Sequence, residues 1–211
     1  MIKAVLFDLD GVIVSTDRCH YRAWKRMADE EGIFFDEKIN DRLRGVSRMA
    51  SLDIVLERAR QTYSDAEKAE MAERKNNYYK ELIRLLTPAD ILPGAMDNLR
   101  NLKEHGIRIA VGSSSKNTPI ILKQIGLDTY FDAVCDGNNI TRSKPDPEVF
   151  CKAAEMLGVS PGDCLVVEDA DAGIAAGRAG GMKTLSVRGA KGADYSARDL
   201  SEFDIFKQII E

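Results

Sequence analysis

Four apolar residues in succession, Ala4, Val5, Leu6 and Phe7, run directly into Asp8, Leu9, Asp10 and Gly11. An unbroken apolar run of this length predicts a strand buried on both faces. This core strand therefore ends by setting two carboxylates side by side, separated by one leucine. Repulsion and desolvation raise at least one pKa in such a pair unless a cation or a specific task compensates.

From about Arg18 to Leu86 the pattern is helical. HYRAWKRMADEEG places Trp24 and Met27 at helical spacing and stops at Gly32; SLDIVLERAR and DAEKAEMAERKNNYYKELIRLL continue the period. Thr87-Pro88 ends the block and Pro93-Gly94 marks another turn. Helices and strands then alternate: AMDNLRNLKEHG, IRIAVG, KNTPIILKQIG, FDAVC, DPEVFCKAAEMLG, CLVVE, AGIAAGRAG and KTLSV. Such alternation implies right-handed crossovers and a mostly parallel sheet covered on both faces. The expected architecture is α/β: a doubly wound, Rossmann-like core over residues 1–15 and 89–211, with an inserted all-helical unit over 16–88.

Composition narrows the classes. With 211 residues, 44% hydrophobic and 30% charged, the chain reads as an ordinary soluble globular protein. Cys19, Cys135, Cys151 and Cys164 form no CxxC pair, so reduced thiols in a cytoplasmic protein are expected rather than zinc or disulfides. Asp8 and Asp10 break any signal-peptide-like apolar stretch, and no later run reaches membrane-spanning length. A net charge of −4 argues against a general nucleic-acid binder but leaves small anionic ligands open.

In doubly wound sheets, ligands bind beyond the carboxyl ends of the strands. Four polar signals fall there: Asp8 with Asp10, Ser113 through Asn117, Ser143-Lys144-Pro145, and Glu168-Asp169. Phosphoryl transfer needs such a set. A carboxylate can carry the phosphoryl group, a second can donate and accept the proton, and a lysine, hydroxyls and a cation neutralise the phosphate oxygens. Asp8, Glu168 and Asp169 offer hard oxygen ligands of the kind Mg²⁺ takes. Each signal also has a plainer reading: Asp-Gly as a turn, Lys144-Pro145 as a helix start, Glu168-Asp169 as a helix cap.

These motifs resemble the haloacid dehalogenase superfamily, and the helical block resembles its first-position cap. FDLDGVI, His20 through Trp24, Gly45-Val46-Ser47-Arg48, Arg74-Lys75-Asn76, Ser113 through Asn117 and Ser143-Lys144-Pro145 are similar to the β-phosphoglucomutase family. That resemblance implies interconversion of β-D-glucose 1-phosphate and 6-phosphate through an aspartyl-phosphate enzyme and a glucose bisphosphate. It implies Asp8 as nucleophile, Asp10 as general acid and base, and Ser113 and Lys144 as holders of the transferring phosphate. Mg²⁺ would be bound by Asp8, the Asp10 carbonyl and Asp169, supported by Glu168. Arg48, Ser115, Lys116 and Asn117 would take the second phosphate, with Thr16 near a hinge and His20 and Lys75 linked to cap closure. Gly45, Val46, Ser47 and Ser51 join the expected substrate side, as does Trp24, which together with Met27, Tyr78 and Tyr79 also reads as cap packing. A monomer acting on a small sugar phosphate is expected. The chain departs from the family at Ser15, where an acidic residue is frequent, and at Ala170, where a serine is common. A phosphatase of the same superfamily, or a silent sugar-phosphate-binding protein, are the competing readings.

Overall fold

The computed structural model describes residues 1–43 and 47–211, and the structural statements below concern those residues. The chain divides into two compact units, Met1–Ser15 with Thr87–Glu211, and Thr16–Leu86.

The second unit is helical, with α1 (Asp17–Glu30), α2 (Glu37–Asp41), α3 (Arg48–Leu56) and α4 (Asp65–Ile83). Helix α4 begins with a capping box: the Glu67 side chain accepts from the Ser64 N–H at 2.7 Å while Ser64 Oγ accepts from the Glu67 N–H. Helix α1 packs along α4, and α3 also lies against α4. Their apolar faces close over Trp24, Met27, Phe35, Leu52, Val55 and Met71. The helical period read from the sequence is thus the period of this buried stripe.

The first unit is built on a parallel six-stranded sheet. Its strands are β1 (Ala4–Phe7), β2 (Arg108–Gly112), β3 (Ala133–Cys135), β4 (Cys164–Glu168), β5 (Lys183–Val187) and β6 (Tyr195–Ala197). The order is β3-β2-β1-β4-β5-β6, with Phe7 of β1 level with Val111 of β2 and Val167 of β4. All four β1 residues are fully buried, which is why they form an apolar run rather than an alternation. Crossovers run through α5 (Ala95–Glu104), α6 (Thr118–Gln124), α7 (Glu148–Leu157) and α8 (Asp171–Ala179). Helix α7 lies on β1, β2 and β3, and α8 on β4 and β5. One core layer joins Ala4, Leu6, Ala110 and Val166 to Val149, Phe150 and Ala153 of α7.

The chain travels outward from β1 to β3 and then returns to fill the other side from β4 to β6. The switch in direction falls between β1 and β4, so their carboxyl ends flank the crevice where this fold binds ligands. Strand β6 was not foreseen, because it is three residues long and its Tyr195 and Ser196 are exposed; edge pairing with β5 defines it, not an apolar run. No described helix is long and apolar enough to cross a membrane, and the four cysteines are free.

Candidate active site

Parallel pairing extends one residue past β1, where the Asp8 N–H donates to the Val167 carbonyl at 2.9 Å. This bond holds Asp8 at the switch point. The chain then folds back on itself, with the Ile13 and Val14 N–H groups donating to the Leu9 carbonyl at 3.0 and 3.1 Å. Gly11 makes the turn possible twice over. Its φ is +85°, and a Cβ there would sit 2.1 Å from Asp169 Oδ2. The glycine lets the Asp10 loop approach the end of β4.

Lys144 reaches the same point from the loop before α7. Its Nζ donates to Asp8 Oδ1 at 2.5 Å, Glu168 Oε1 at 2.7 Å and the Gly112 carbonyl at 2.9 Å, so all three ammonium protons are used. The Phe150 ring lies 4.5 Å from the ammonium. The Lys144–Pro145 peptide is cis and α7 begins only at Glu148, so the lysine stands in the loop ahead of the helix.

Glu168 serves two ends at once. Oε1 holds Lys144, while Oε2 accepts from the Asp169 and Ala170 N–H groups, both at 2.9 Å. Oε1 therefore serves the site, while Oε2 ties the two residues just ahead of α8 rather than a first-turn N–H of the helix. Ala170 is the N-cap of α8 and makes no side-chain cap bond, so the bond that a serine there would offer to a first-turn N–H is not made. Gly173 gives Glu168 its room, since a Cβ there would lie 1.8 Å from Oε1. Gly173→Ala is favoured by helix propensity, yet it is expected to displace Glu168 and weaken the binding of an added divalent cation, read by titration, about 10- to 100-fold. An unchanged cation affinity would contradict this account of Glu168.

Carboxylate oxygens of Asp8, Glu168 and Asp169 lie within 4.8 Å of one another. Burial pushes Asp8 up to about 8; Lys144 opposes the rise, and Glu168 and Asp169 add to it. Burial also works against the Lys144 cation, but Asp8 and Glu168 outweigh it and hold its pKa above the usual lysine value. Three acidic groups facing one ammonium leave negative charge in excess. The donors are all hard oxygens, and the set fits a divalent cation.

The turn after β2 is tied by short side-chain bonds. Ser113 Oγ accepts from the Ser115 N–H and Ser115 Oγ from the Asn117 N–H, both at 3.2 Å, while the Thr118 hydroxyl donates to the Ser115 carbonyl at 2.9 Å. Ser113 and Asn117 are buried and Lys116 is exposed. Gly112, whose carbonyl holds Lys144, connects this turn to the carboxylate cluster.

In the helical unit, His20 Nδ1 lies 2.9 Å from Lys75 Nζ, and the His20 ring stacks on Tyr79 with centroids 4.1 Å apart. Lys75 is only 3% exposed and stands over the Trp24 ring at 4.7 Å, so it is a buried cation and not a solvated helix charge. Burial, with the Lys75 and Arg48 charges, holds His20 well below the usual imidazole value. Trp24 is 2% exposed and joins the unit's core, as its packing reading expects. Arg48 Nη2 donates to Asn76 Oδ1 at 2.9 Å, and Nη1 pairs with Glu73 at 3.5 Å. The Ser47 hydroxyl caps α3 by accepting from the Ala50 N–H at 3.4 Å, and Ser51 is buried. The Thr16 hydroxyl bonds the Tyr79 hydroxyl at 2.9 Å. Gly45 and Val46 lie outside the described residues. Asn76 and Tyr79 are the contacts the sequence reading missed; the adjacent Lys75 and the Tyr78-Tyr79 pair were the nearest signals.

The sequence matches the haloacid dehalogenase-like hydrolase family over residues 2–181. It is 44% identical over 209 residues to a β-phosphoglucomutase of Bacillus subtilis (strain 168), covering 97% of this chain and 92% of that protein. It is 33% identical over 189 residues to a fructose-1-phosphate phosphatase of Escherichia coli (strain K12), covering 87% of this chain and 95% of that protein. A crystal structure of β-phosphoglucomutase from Clostridium difficile superposes with a TM-score of 0.88 at 41% identity, covering 96% of this chain and 93% of that one. A buried carboxylate, lysine and acidic pair at the switch of a doubly wound sheet, in a sequence matched nearly end to end, place this chain in the haloacid dehalogenase-like hydrolase family, among the relatives of the β-phosphoglucomutases.

Proposed function

We propose that the chain interconverts β-D-glucose 1-phosphate and β-D-glucose 6-phosphate, passing the phosphoryl group through Asp8 and a bound glucose bisphosphate. The observation that carries this reading is the Asp8–Lys144–Glu168 contact, at 2.5 and 2.7 Å, in a chain 44% identical to a β-phosphoglucomutase. In the first half-reaction an Asp8 oxygen bonds to phosphorus as the bond to the sugar oxygen breaks, and Asp10 gives that oxygen its proton. In the second, Asp10 takes the proton of the other sugar hydroxyl as its oxygen attacks the aspartyl phosphate. Lys144 and the Ser113 hydroxyl offset the charge of the transferring phosphate. Mg²⁺, held by Asp8, the Asp10 carbonyl and Asp169 with Glu168 in support, would supply further charge neutralisation at the phosphoryl oxygens.

A mutase must grip a second phosphate; Ser115, Lys116 and Asn117 are proposed as ligands for it, and Arg48 is proposed as a phosphate-binding residue of the helical unit. Arg48 is bonded to Asn76 through Nη2 and paired with Glu73 through Nη1, so a phosphate fork would take the place of the exposed Glu73 pair. The proposed setting is a cytoplasmic monomer acting on a small sugar phosphate. The second reading, a sugar-phosphate phosphatase, is favoured by the Escherichia coli relative, and it differs only in whether water or a sugar hydroxyl takes the phosphoryl group.

Purified protein given Mg²⁺, β-glucose 1-phosphate and a trace of glucose bisphosphate is expected to form glucose 6-phosphate, read by coupled NADP reduction, with little free phosphate. Predominant phosphate release would replace the mutase reading with the phosphatase one. Asp10→Asn is expected to lower turnover by about 10²- to 10⁴-fold with unchanged circular dichroism. Near-normal turnover would remove Asp10 from its acid and base role.

A further inference from the structure

Two pairs of residues face each other across the packed helices α1 and α4. Thr16 and His20 are one helical turn apart at the start of α1, and Lys75 and Tyr79 are one turn apart on α4. Residues spaced by four stand one above the other on a helix face. Their contacts run crosswise: Tyr79 hydroxyl to Thr16 hydroxyl at 2.9 Å, Tyr79 ring to His20 ring at 4.1 Å, and Lys75 Nζ to His20 Nδ1 at 2.9 Å. The Lys75 ammonium also lies 4.9 Å from the Tyr79 ring.

We propose that Tyr79 is a positioning residue, whose hydroxyl fixes Thr16 and whose ring fixes His20, so that His20 is presented as a neutral imidazole with its proton on Nε2. Three observations support this. Thr16 is the N-cap of α1, where a threonine hydroxyl ordinarily accepts a helix N–H, but it makes no such bond and meets Tyr79 instead. Tyr79 is 2% exposed, and a ring needed only for packing would carry no hydroxyl into that interior. Lys75 has donors only, so Nδ1 must accept and the ring proton sits on Nε2. Lys75 on α4 and Arg48 on α3, both cations, act with burial to lower the imidazole pKa. The consequence for catalysis rests on the mutase reading above: Tyr79 would set the geometry of Thr16 and His20 without touching substrate.

The test combines imidazole ¹⁵N spectra of the whole protein with a double-mutant cycle. The chain has two histidines, His20 and His105, so the ring signals are readily assigned. The native protein is expected to show His20 as the Nε2–H tautomer. Tyr79→Phe keeps the ring and should preserve that spectrum while lowering kcat about fivefold with KM little changed, the loss expected for one hydrogen bond. Thr16→Val should cost a similar factor, and Thr16→Val with Tyr79→Phe no more than either alone. Tyr79→Leu removes the stack and should give mixed tautomers or a titrating His20. Additive losses in the cycle, or an unchanged His20 spectrum in a folded Tyr79→Leu, would overturn the proposal. If Tyr79→Leu fails to fold, the cycle alone decides. The spectra need no substrate and the cycle can be run on whichever product channel dominates, so failure of the mutase reading is separately visible as phosphate release by the native protein.

Discussion

Asp8→Asn is expected to abolish turnover, with a loss of at least about 10⁴-fold. The carboxamide has nearly the same shape, but it is uncharged and cannot carry the phosphoryl group. Incubation with glucose bisphosphate should add a phosphoryl mass to the native chain and none to the variant. A phosphorylated variant would move the nucleophile elsewhere. The same substitution should alter the pH dependence of stability. Burial raises Asp8 from 3.8 to about 8, so its favourable share is fully present below the unfolded value and is lost as the pH rises through the folded one. In chelator, the melting temperature of Asp8→Asn should therefore gain on that of the native protein between acid and mildly alkaline pH. A constant difference across that range would mean that burial does not govern Asp8.

Lys144→Met should be nearly as damaging to activity and the most damaging to the fold. It removes the cation from two carboxylates, at 2.5 and 2.7 Å, and from the Gly112 carbonyl, at a site where the lysine side chain is 9% exposed. Breaking a buried pair by deleting one partner costs about 3–5 kcal/mol. For a protein of this size that corresponds to a melting temperature lower by roughly 10 °C. Activity should fall about 10³-fold, since the charge facing the phosphoryl oxygens is lost with it. Lys144→Arg should not rescue, because a planar fork cannot meet three acceptors gathered around one nitrogen. Millimolar Mg²⁺ should restore part of the thermal stability and none of the rate. Activity within threefold of native would show that Lys144 is a structural counter-ion only.

The strand-end motifs were legible because each is local. Asp8 and Asp10 follow an apolar run, Glu168 and Asp169 follow another, and strand ends in a doubly wound sheet converge. Arg48, His20 and Lys75 were less legible: on spacing alone each reads as a solvated helix residue, and only the family resemblance lifted them. The structure then gave Lys75 and Arg48 partners that spacing could not supply, His20 and Asn76. Trp24 carries two readings, since an indole at a helical core position reads alike whether it packs or contacts a ligand.

What the sequence determined by itself was the alternation of burial, hence the helical unit, the parallel sheet and the placing of acidic groups at its switch. Hydrophobic periodicity is a local property, and burial follows from it. What only the tertiary structure decided was how polar groups share their bonds. Lys144 meets Asp8 across 136 positions of chain, Glu168 divides its two oxygens between that lysine and the loop leading into α8, and Gly173 leaves the space for it to do so. Tyr79 gives its hydroxyl to Thr16 and its ring to His20. Such contacts depend on the distance between atoms brought together by packing, and no pattern of residue types along the chain encodes it.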